Sequence, residues 1–390
     1  MLALAVEHTG AHRRIALRVL LALGQSPRRL VLGFAATTAF ISMWISNAAA
    51  ALILMPVAVA VVDHAHAVAG DRARTFGVAV MLAVAYGASV GGLGTPIGTA
   101  PNLVAIGALQ ANFPGGPALS FLGWATIGVP IAVLLTLVMW ALLVRVSPGV
   151  PADLDLGARA VIGEEVKQLG AWRPSERRSL ALFAIAALLW ITREDAASIP
   201  GWSTLLGLGT SPDDGTVALL LVVVAFLLPS GEAPGARILT WPIAAKAPWD
   251  LFVLFGGGIA LAVGFDRSGI SRWIGEAFTA LGGGSMAMLT AGTALAAIFV
   301  TELISNTALA SIAMPILAAA AKQMGGDPRL LLVPVAMACS CGFMMPAGTG
   351  PNAIAFGTGR VRIAEMVRAG LLVNLAAWLV IVAMMLIRFG

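Results

Sequence analysis

Apolar stretches long enough to cross a bilayer recur along this chain with almost no charge inside them. They can be drawn at 76–109, 121–144, 179–192 (short), 216–230, 251–265, 331–357 and 370–387, with two more at 34–62 and 290–320. A hydrocarbon core about 30 Å thick takes roughly 20 apolar helical residues, and inside it a chain must satisfy its own backbone as helix or closed barrel. Runs of this length read as helices, so the fold class expected is an all-α polytopic membrane protein. Composition agrees: 59% of residues are hydrophobic, 11% are charged, and the mean hydropathy is +0.93, which leaves no polar surface for a soluble domain.

The charge pattern narrows the function classes. The net charge is +5, but the Lys and Arg sit in short clusters between apolar runs, as loops facing anionic lipid would place them. A nucleic-acid partner is therefore not expected; the lipid bilayer is. Cys339 and Cys341 lie one residue apart in an apolar segment and form neither a disulfide framework nor a zinc site. There is no nucleophile paired with a base, no phosphate loop and no metal-hydrolase spacing, so the chain is not read as an enzyme.

Two elements occur twice, in register. The stretch ISNAAAALILMP at 45–56 returns 259 residues later as ISNTALASIAMP at 304–315, and PIGTAPNLVAIG at 96–107 returns at an offset of 250 as PAGTGPNAIAFG at 346–357. Transporters are often built from repeats of inverted topology whose site lies at the repeat interface. The polar segment 147–178 separates the two halves.

The Ser-Asn runs either cross the membrane or fold back. If both fold back, the 24 Lys and Arg divide 18 to one face and 6 to the other; if both cross, they divide 11 to 13. The positive-inside bias favours re-entrant hairpins, the first entering from the cytoplasm and the second from outside. At a hairpin tip the second arm begins with free amides and the positive end of a helix dipole, suited to an anion. The carbonyls that end the first arm suit a cation. Asn offers both an amide and a carbonyl oxygen, and Ser or Thr adds a hydroxyl. Gly98, Pro101, Gly348 and Pro351 interrupt two further runs and free carbonyls in the same way, giving discontinuous helices.

The motifs MWISNAAA, TELISNTALAS, GTPIGTAPN and MPAGTGPN, with FGGGIALAVGFDRSG before the second hairpin, resemble the divalent anion/sodium symporter family of sodium-coupled di- and tricarboxylate carriers. The resemblance covers essentially the whole chain. It implies an elevator-type transporter with sodium as the co-transported ion. One sodium would lie among Ser42, Ser46, Asn47 and Gly98, and a second among Thr301, the Ile304 carbonyl, Asn306 and Gly348. The substrate carboxylates would meet Asn47 and Ala48 on one side and Asn306, Thr307 and Thr349 on the other. Oxygen-only ligands suit a hard cation. Two positions depart from the family pattern: Ala48 stands where Thr is usual, and Gly350 where Pro is common.

The division expected is 1–33 as a scaffold-helix remnant with a cytoplasmic interfacial helix, and 34–146 as first-repeat transport elements (hairpin 34–62, broken helix 76–109, helix 121–144). A cytoplasmic connector follows at 147–178, then scaffold helices and an interfacial helix at 179–289. The second-repeat transport elements fill 290–390 (hairpin 290–320, broken helix 331–357, helix 370–387). Symmetry between the halves leads us to expect two or three further scaffold helices before Met1. The function expected is sodium-coupled symport of a dicarboxylate such as succinate, by a homodimer in the bacterial cytoplasmic membrane. Alternatives are a carrier of sulfate, citrate or another oxyanion, a sodium-independent anion exchanger, and, from other classes, an ion channel or intramembrane enzyme. Glu302, four residues before Asn306, reads either as a buried anchor for the hairpin or as a proton-coupling group. Trp44, Trp124, Trp202, Trp241 and Trp249 read mostly as interface anchors, His64 and His66 as interfacial, and the segment from Thr9 to about residue 23 as an amphipathic helix on the inner surface.

Overall fold

The computed structural model describes residues 1–22, 26–116, 119–146, 150, 158–195, 199–209, 212–270, 272–273, 276 and 285–390. Among them the chain is helical, with one isolated antiparallel bridge between Pro229 and Arg237. Among the described residues, four stretches are long and apolar enough to cross a membrane: Asn47–Gly92, Phe121–Arg145, Asn306–Met324 and Ile363–Phe389. The first is divided by a 3-10 turn at Gly70–Ala73.

Two five-helix series fill the parts the repeat marks. The first is Pro27–Ser42, Asn47–Ala69, Arg74–Gly92, Ala100–Asn112 and Phe121–Arg145. The second is Met286–Val300, Asn306–Met324, Arg329–Cys339, Gly350–Gly357 and Ile363–Phe389. Between them lie the helices Pro174–Ile191, Asp214–Leu227 and Asp250–Ser268. The interfacial helix expected before residue 289 falls largely outside the described residues, as do 147–149 and 151–157 of the connector. The rest of the connector holds a helix, Ala158–Gln168, packed on Ala11–Ala22 and Asn47–Ala69.

Polar contacts between distant residues fix which helix ends share a face. Arg13 pairs with Glu165 at 2.8 Å and Arg14 with Glu176 at 3.1 Å. Two crossings separate these partners, the broken helix 74–112 and the helix 121–145, provided that residues 27–69 return to the face they entered. Arg360 pairs with Asp63 and Arg74 with Glu365, each at 2.6 Å. Six crossings separate those partners if residues 286–324 also turn back. Were either Ser-Asn element a full span, its count would be odd and the partners would lie on opposite faces. On the other face Ser120 donates to Glu194 and the Phe121 amide to Asp214, as the two crossings between them, 121–145 and 174–191, require. Both elements are therefore re-entrant. The arms before the tips, 16 and 15 residues long, reach only about 24 Å.

The centre of the molecule is the helix Arg74–Gly92, buried at every residue from Phe76 to Gly92. Its glycines let the first hairpin arm lie directly on it. A Cβ on Gly91 would sit 2.1 Å from the Ala39 carbonyl oxygen, and one on Gly87 2.7 Å from that of Ala35. Close backbone approach through small residues is how helices pack where no hydrophobic drive separates protein from lipid. The halves interlock crosswise: Asn306–Met324 packs on Ala100–Asn112, and Gly350–Gly357 packs on Asn47–Ala69 and Arg74–Gly92.

Two expectations need correction. Trp124 is no interface anchor: it is fully buried, and its Nε1 donates to the Leu93 carbonyl 3.0 Å away, because the break after Gly92 frees a carbonyl that needs a donor. Arg14 does not ride on the polar side of a surface helix. It is 2% exposed, held by Glu176 and by the carbonyls of Leu169, Gly170 and Ala171, so the helix Ala11–Ala22 is built into the protein.

Candidate functional site

Each hairpin tip is a short turn between helices. In the first, Ser46 caps the helix Asn47–Ala69, its hydroxyl accepting from the Ala49 amide at 3.3 Å. That leaves Asn47 at the first helical position with its side chain turned toward the broken helix. Gly92 makes room for it, since a Cβ there would lie 2.4 Å from Asn47 Oδ1. In the second, Ser305 precedes the helix Asn306–Met324 and Asn306 occupies the equivalent position.

The Asn47 carboxamide faces three oxygens: the Ser42 hydroxyl at 2.8 Å, the Gly98 carbonyl at 3.2 Å and the Ala88 carbonyl at 3.2 Å. Asn306 faces the Thr301 hydroxyl at 2.8 Å, the Gly348 carbonyl at 3.0 Å and the Cys339 carbonyl at 3.2 Å. The amide has two orientations here. With Nδ2 turned in, it donates to these oxygens. With Oδ1 turned in, the hydroxyl still donates to it, at 2.8 Å in both halves, but two carbonyls face a third oxygen with no proton between them. A cation would reconcile that arrangement, and the oxygens are those a hard cation prefers; in the second half the Thr301 hydroxyl also lies 2.7 Å from the Cys339 carbonyl, to which it can donate instead.

The loops that supply the carbonyls are held alike in both halves. Asn102 Nδ2 donates to the carbonyls of Gly92 and Thr95 at 2.9 and 2.8 Å. Asn352 Nδ2 donates to those of Gly342 and Met345 at 2.9 and 3.0 Å. Each pair of acceptors differs by the same offset of 250 as the asparagines themselves. Thr99 and Thr349 stand at the N-caps of the helices after the breaks, with prolines in the first turn. Four helix N-termini thus begin at Asn47, Ala100, Asn306 and Gly350. The loops touch across the halves, Thr99 Oγ1 lying 3.2 Å from Ser340 Oγ. A Cβ on Gly350 would lie 3.3 Å from that of Ala48.

Of the residues expected at the cation sites, the structure brings together Ser42, Asn47 and Gly98 in one cluster and Thr301, Asn306 and Gly348 in the other. The Ser46 side chain is engaged as a cap, and Ile304 lies in the turn, 41% exposed. The carbonyls of Ala88 and Cys339 were not anticipated; they belong to the last turns of helices whose ends a sequence does not mark to the residue. Thr307 and Ala48 are partly exposed beside the asparagines, and Thr349 caps its helix by accepting from the Asn352 amide.

Residues 1–388 match the family model described as the sodium:sulfate symporter transmembrane region. The chain belongs to this family. Membership makes it an integral membrane transporter rather than an enzyme, with sodium as the co-transported ion. Among the symporters it resembles are the sodium-dependent dicarboxylate transporters SdcS of Staphylococcus saprophyticus, 37% identical over 388 residues, and of Staphylococcus aureus, 35% identical over 390. Each match covers 98% of this chain and 73% of the relative. Two solved transporters share the fold at a TM-score of 0.63. MtrF of Neisseria gonorrhoeae is 14% identical, with 99% of this chain and 80% of that one covered; YdaH of Alcanivorax borkumensis is 15% identical, with 100% and 85% covered.

Proposed function

We propose that this symporter carries a dicarboxylate such as succinate with sodium across the bacterial cytoplasmic membrane. The observation that carries this reading is the pair of matching oxygen clusters around Asn47 and Asn306, set among four helix N-termini. Two cations at the clusters and a dianion between the N-termini compensate each other, where unpaired charge in a low-dielectric site would be costly. Neutral ligands leave that compensation to the cargo. The names of the Staphylococcus relatives favour a dicarboxylate over sulfate.

Coupling follows from the asparagine amides. A sodium ion holds Oδ1 toward the cluster, which turns Nδ2 toward the cleft, where it donates to a carboxylate. Without the cation, Nδ2 turns in to satisfy the carbonyls, and Oδ1 then faces the anion and repels it. The proposed ligands are Ser42, Asn47, Gly98 and the Ala88 carbonyl for one ion, and Thr301, Asn306, Gly348 and the Cys339 carbonyl for the other. Asn47, Ala48, Asn306, Thr307 and Thr349 would line the substrate. The hairpins and broken helices would move together past the intervening helices, carrying the site between faces.

The test is uptake of labelled succinate into proteoliposomes, driven by an inward sodium gradient. Uptake should vanish when choline replaces sodium, and should be competed by other dicarboxylates more strongly than by sulfate. Sulfate-selective competition, or uptake indifferent to sodium, would overturn the reading.

A further inference from the structure

The two oxygen clusters match in geometry but not in charge. Beside Thr301 stands Glu302, 4% exposed. Its Oε1 accepts from the Met344 amide and from Asn374 Nδ2, and its Oε2 from the Met345 amide, each at 2.8 Å. Every contact is a donor to the carboxylate, the pattern of an ionised group. Among the described residues it has no cationic partner. Its Oε2 lies 2.8 Å from where a Cβ on Gly348 would be, so the charge abuts the residue whose carbonyl faces Asn306.

The first cluster has none of this. At the 259 offset Glu302 corresponds to Met43, and at the 250 offset Asn374 corresponds to Trp124. The Gly94 amide, counterpart of Met344's, is spent on the Gly91 carbonyl at 2.9 Å. A repeat that keeps six oxygen donors in register but places a buried carboxylate in one half alone has made its two cation sites unequal.

We infer that Glu302 makes the Thr301–Asn306–Gly348 cluster the stronger sodium site, filled before the anion arrives, while the Ser42–Asn47–Gly98 cluster holds its ion well only once the anion's charge is present. This rests on the symport reading of both clusters. A unit charge roughly 6–8 Å from a cation, at an effective dielectric constant of about 20, changes its affinity on the order of 30- to 100-fold. Met43 supplies no such field.

The experiment titrates sodium calorimetrically into the purified chain in lipid nanodiscs, without any dicarboxylate and at constant ionic strength with choline. The tight sodium phase should survive Ser42→Ala and be lost in Thr301→Ala. Glu302→Gln should weaken it at least about tenfold. Glu302→Asp, which keeps the charge but withdraws the carboxylate from the Met344 and Met345 amides, should retain most of the affinity. Loss of the tight phase in Ser42→Ala, or an equal loss in Glu302→Asp and Glu302→Gln, would overturn the inference, the second by assigning Glu302 to hydrogen bonding alone. If Glu302→Gln does not fold, the Ser42→Ala and Thr301→Ala comparison decides. Two phases of equal affinity would sink this inference while sparing the symport reading; no sodium heat in the parent chain would sink both.

Discussion

Arg360 grips Asp63 through both carboxylate oxygens, Nη2 lying 2.6 Å from one and 2.8 Å from the other. As an exposed pair it adds little stability, on the order of 0–1 kcal/mol. Its weight is topological, because it requires an even number of crossings between two residues that the second Ser-Asn element separates. Cysteines placed at the exposed positions His66 and Arg362 should therefore react with an impermeant thiol reagent from the same side of sealed vesicles, and one at Gln323 from the other. The native Cys339 and Cys341 are fully buried and give a low background. Labelling of His66→Cys and Arg362→Cys from opposite sides would break the hairpin topology.

Asn47 and Asn306 should each be indispensable to coupled uptake but not to folding. Alanine at either position removes the group that faces both the oxygen cluster and the cleft. Sodium-driven uptake should fall at least about 100-fold in each variant. The lost hydrogen bonds are worth about 1 kcal/mol each, so thermal stability without sodium should stay close to the parent's. Near-normal uptake in either variant would remove that asparagine from the site.

What the sequence made legible was the repeat and its polar insertions: Asn47 and Gly98 in one half, and Asn306 and Gly348 in the other, stood out because Ser-Asn and Gly-Thr-x-Pro-Asn are costly in an apolar run, whereas Ser42 and Thr301 came from the family resemblance alone. The Ala88 and Cys339 carbonyls were invisible because a backbone acceptor carries no residue-type signal. Asn102 and Asn352 were quoted in the motif, yet their work as clamps on two carbonyls each depends on loop shape. Trp124 and Arg14 misled for a common reason: composition near a span end suggests the interface, whereas the break at Gly92 and the buried carboxylate of Glu176 pull both side chains inward.

The contact between the first hairpin arm and the central helix should be intolerant of a single methyl. Gly91→Ala puts a Cβ against the Ala39 carbonyl, a backbone atom that cannot step aside as a side-chain end would. Overpacking of this kind costs about 1–3 kcal/mol or more, read as a lowered unfolding temperature in detergent. Gly257→Ala is the control. Nothing lies within 4 Å of a Cβ there, so that variant should match the parent or gain slightly from helix propensity.

Ala48 offers a gain rather than a loss. Its repeat counterpart is Thr307, so one side of the cleft has a hydroxyl beside its asparagine and the other has only a methyl facing Gly350. Ala48→Thr should tighten dicarboxylate binding: one added hydrogen bond to a charged group is worth about 1.5–3 kcal/mol, roughly 10- to 150-fold, which the cost of fitting the side chain lowers to several-fold. Sodium affinity measured without the anion should not change. Unaltered dicarboxylate affinity would show that no carboxylate reaches this corner of the site.

Arg14 and Glu176 should be far more sensitive than their neighbours on the same face. The two side chains are 3% and 2% exposed, against 46% and 25% for Arg13 and Glu165. Removing one partner of a buried pair costs about 3–5 kcal/mol, eased here because Arg173 Nη2 also lies 3.8 Å from Glu176, and Arg14 also serves three carbonyls at 2.7–3.1 Å. Arg14→Met should therefore lower the unfolding temperature strongly, whereas Arg13→Met should change stability by at most about 1 kcal/mol. The double variant Arg14→Met with Glu176→Leu should recover part of the loss, because the stranded carboxylate is gone while the three carbonyls remain unserved. Recovery to the parent's stability would mean that those carbonyls find other donors, and no recovery would mean that they, rather than Glu176, are what Arg14 is there to hold.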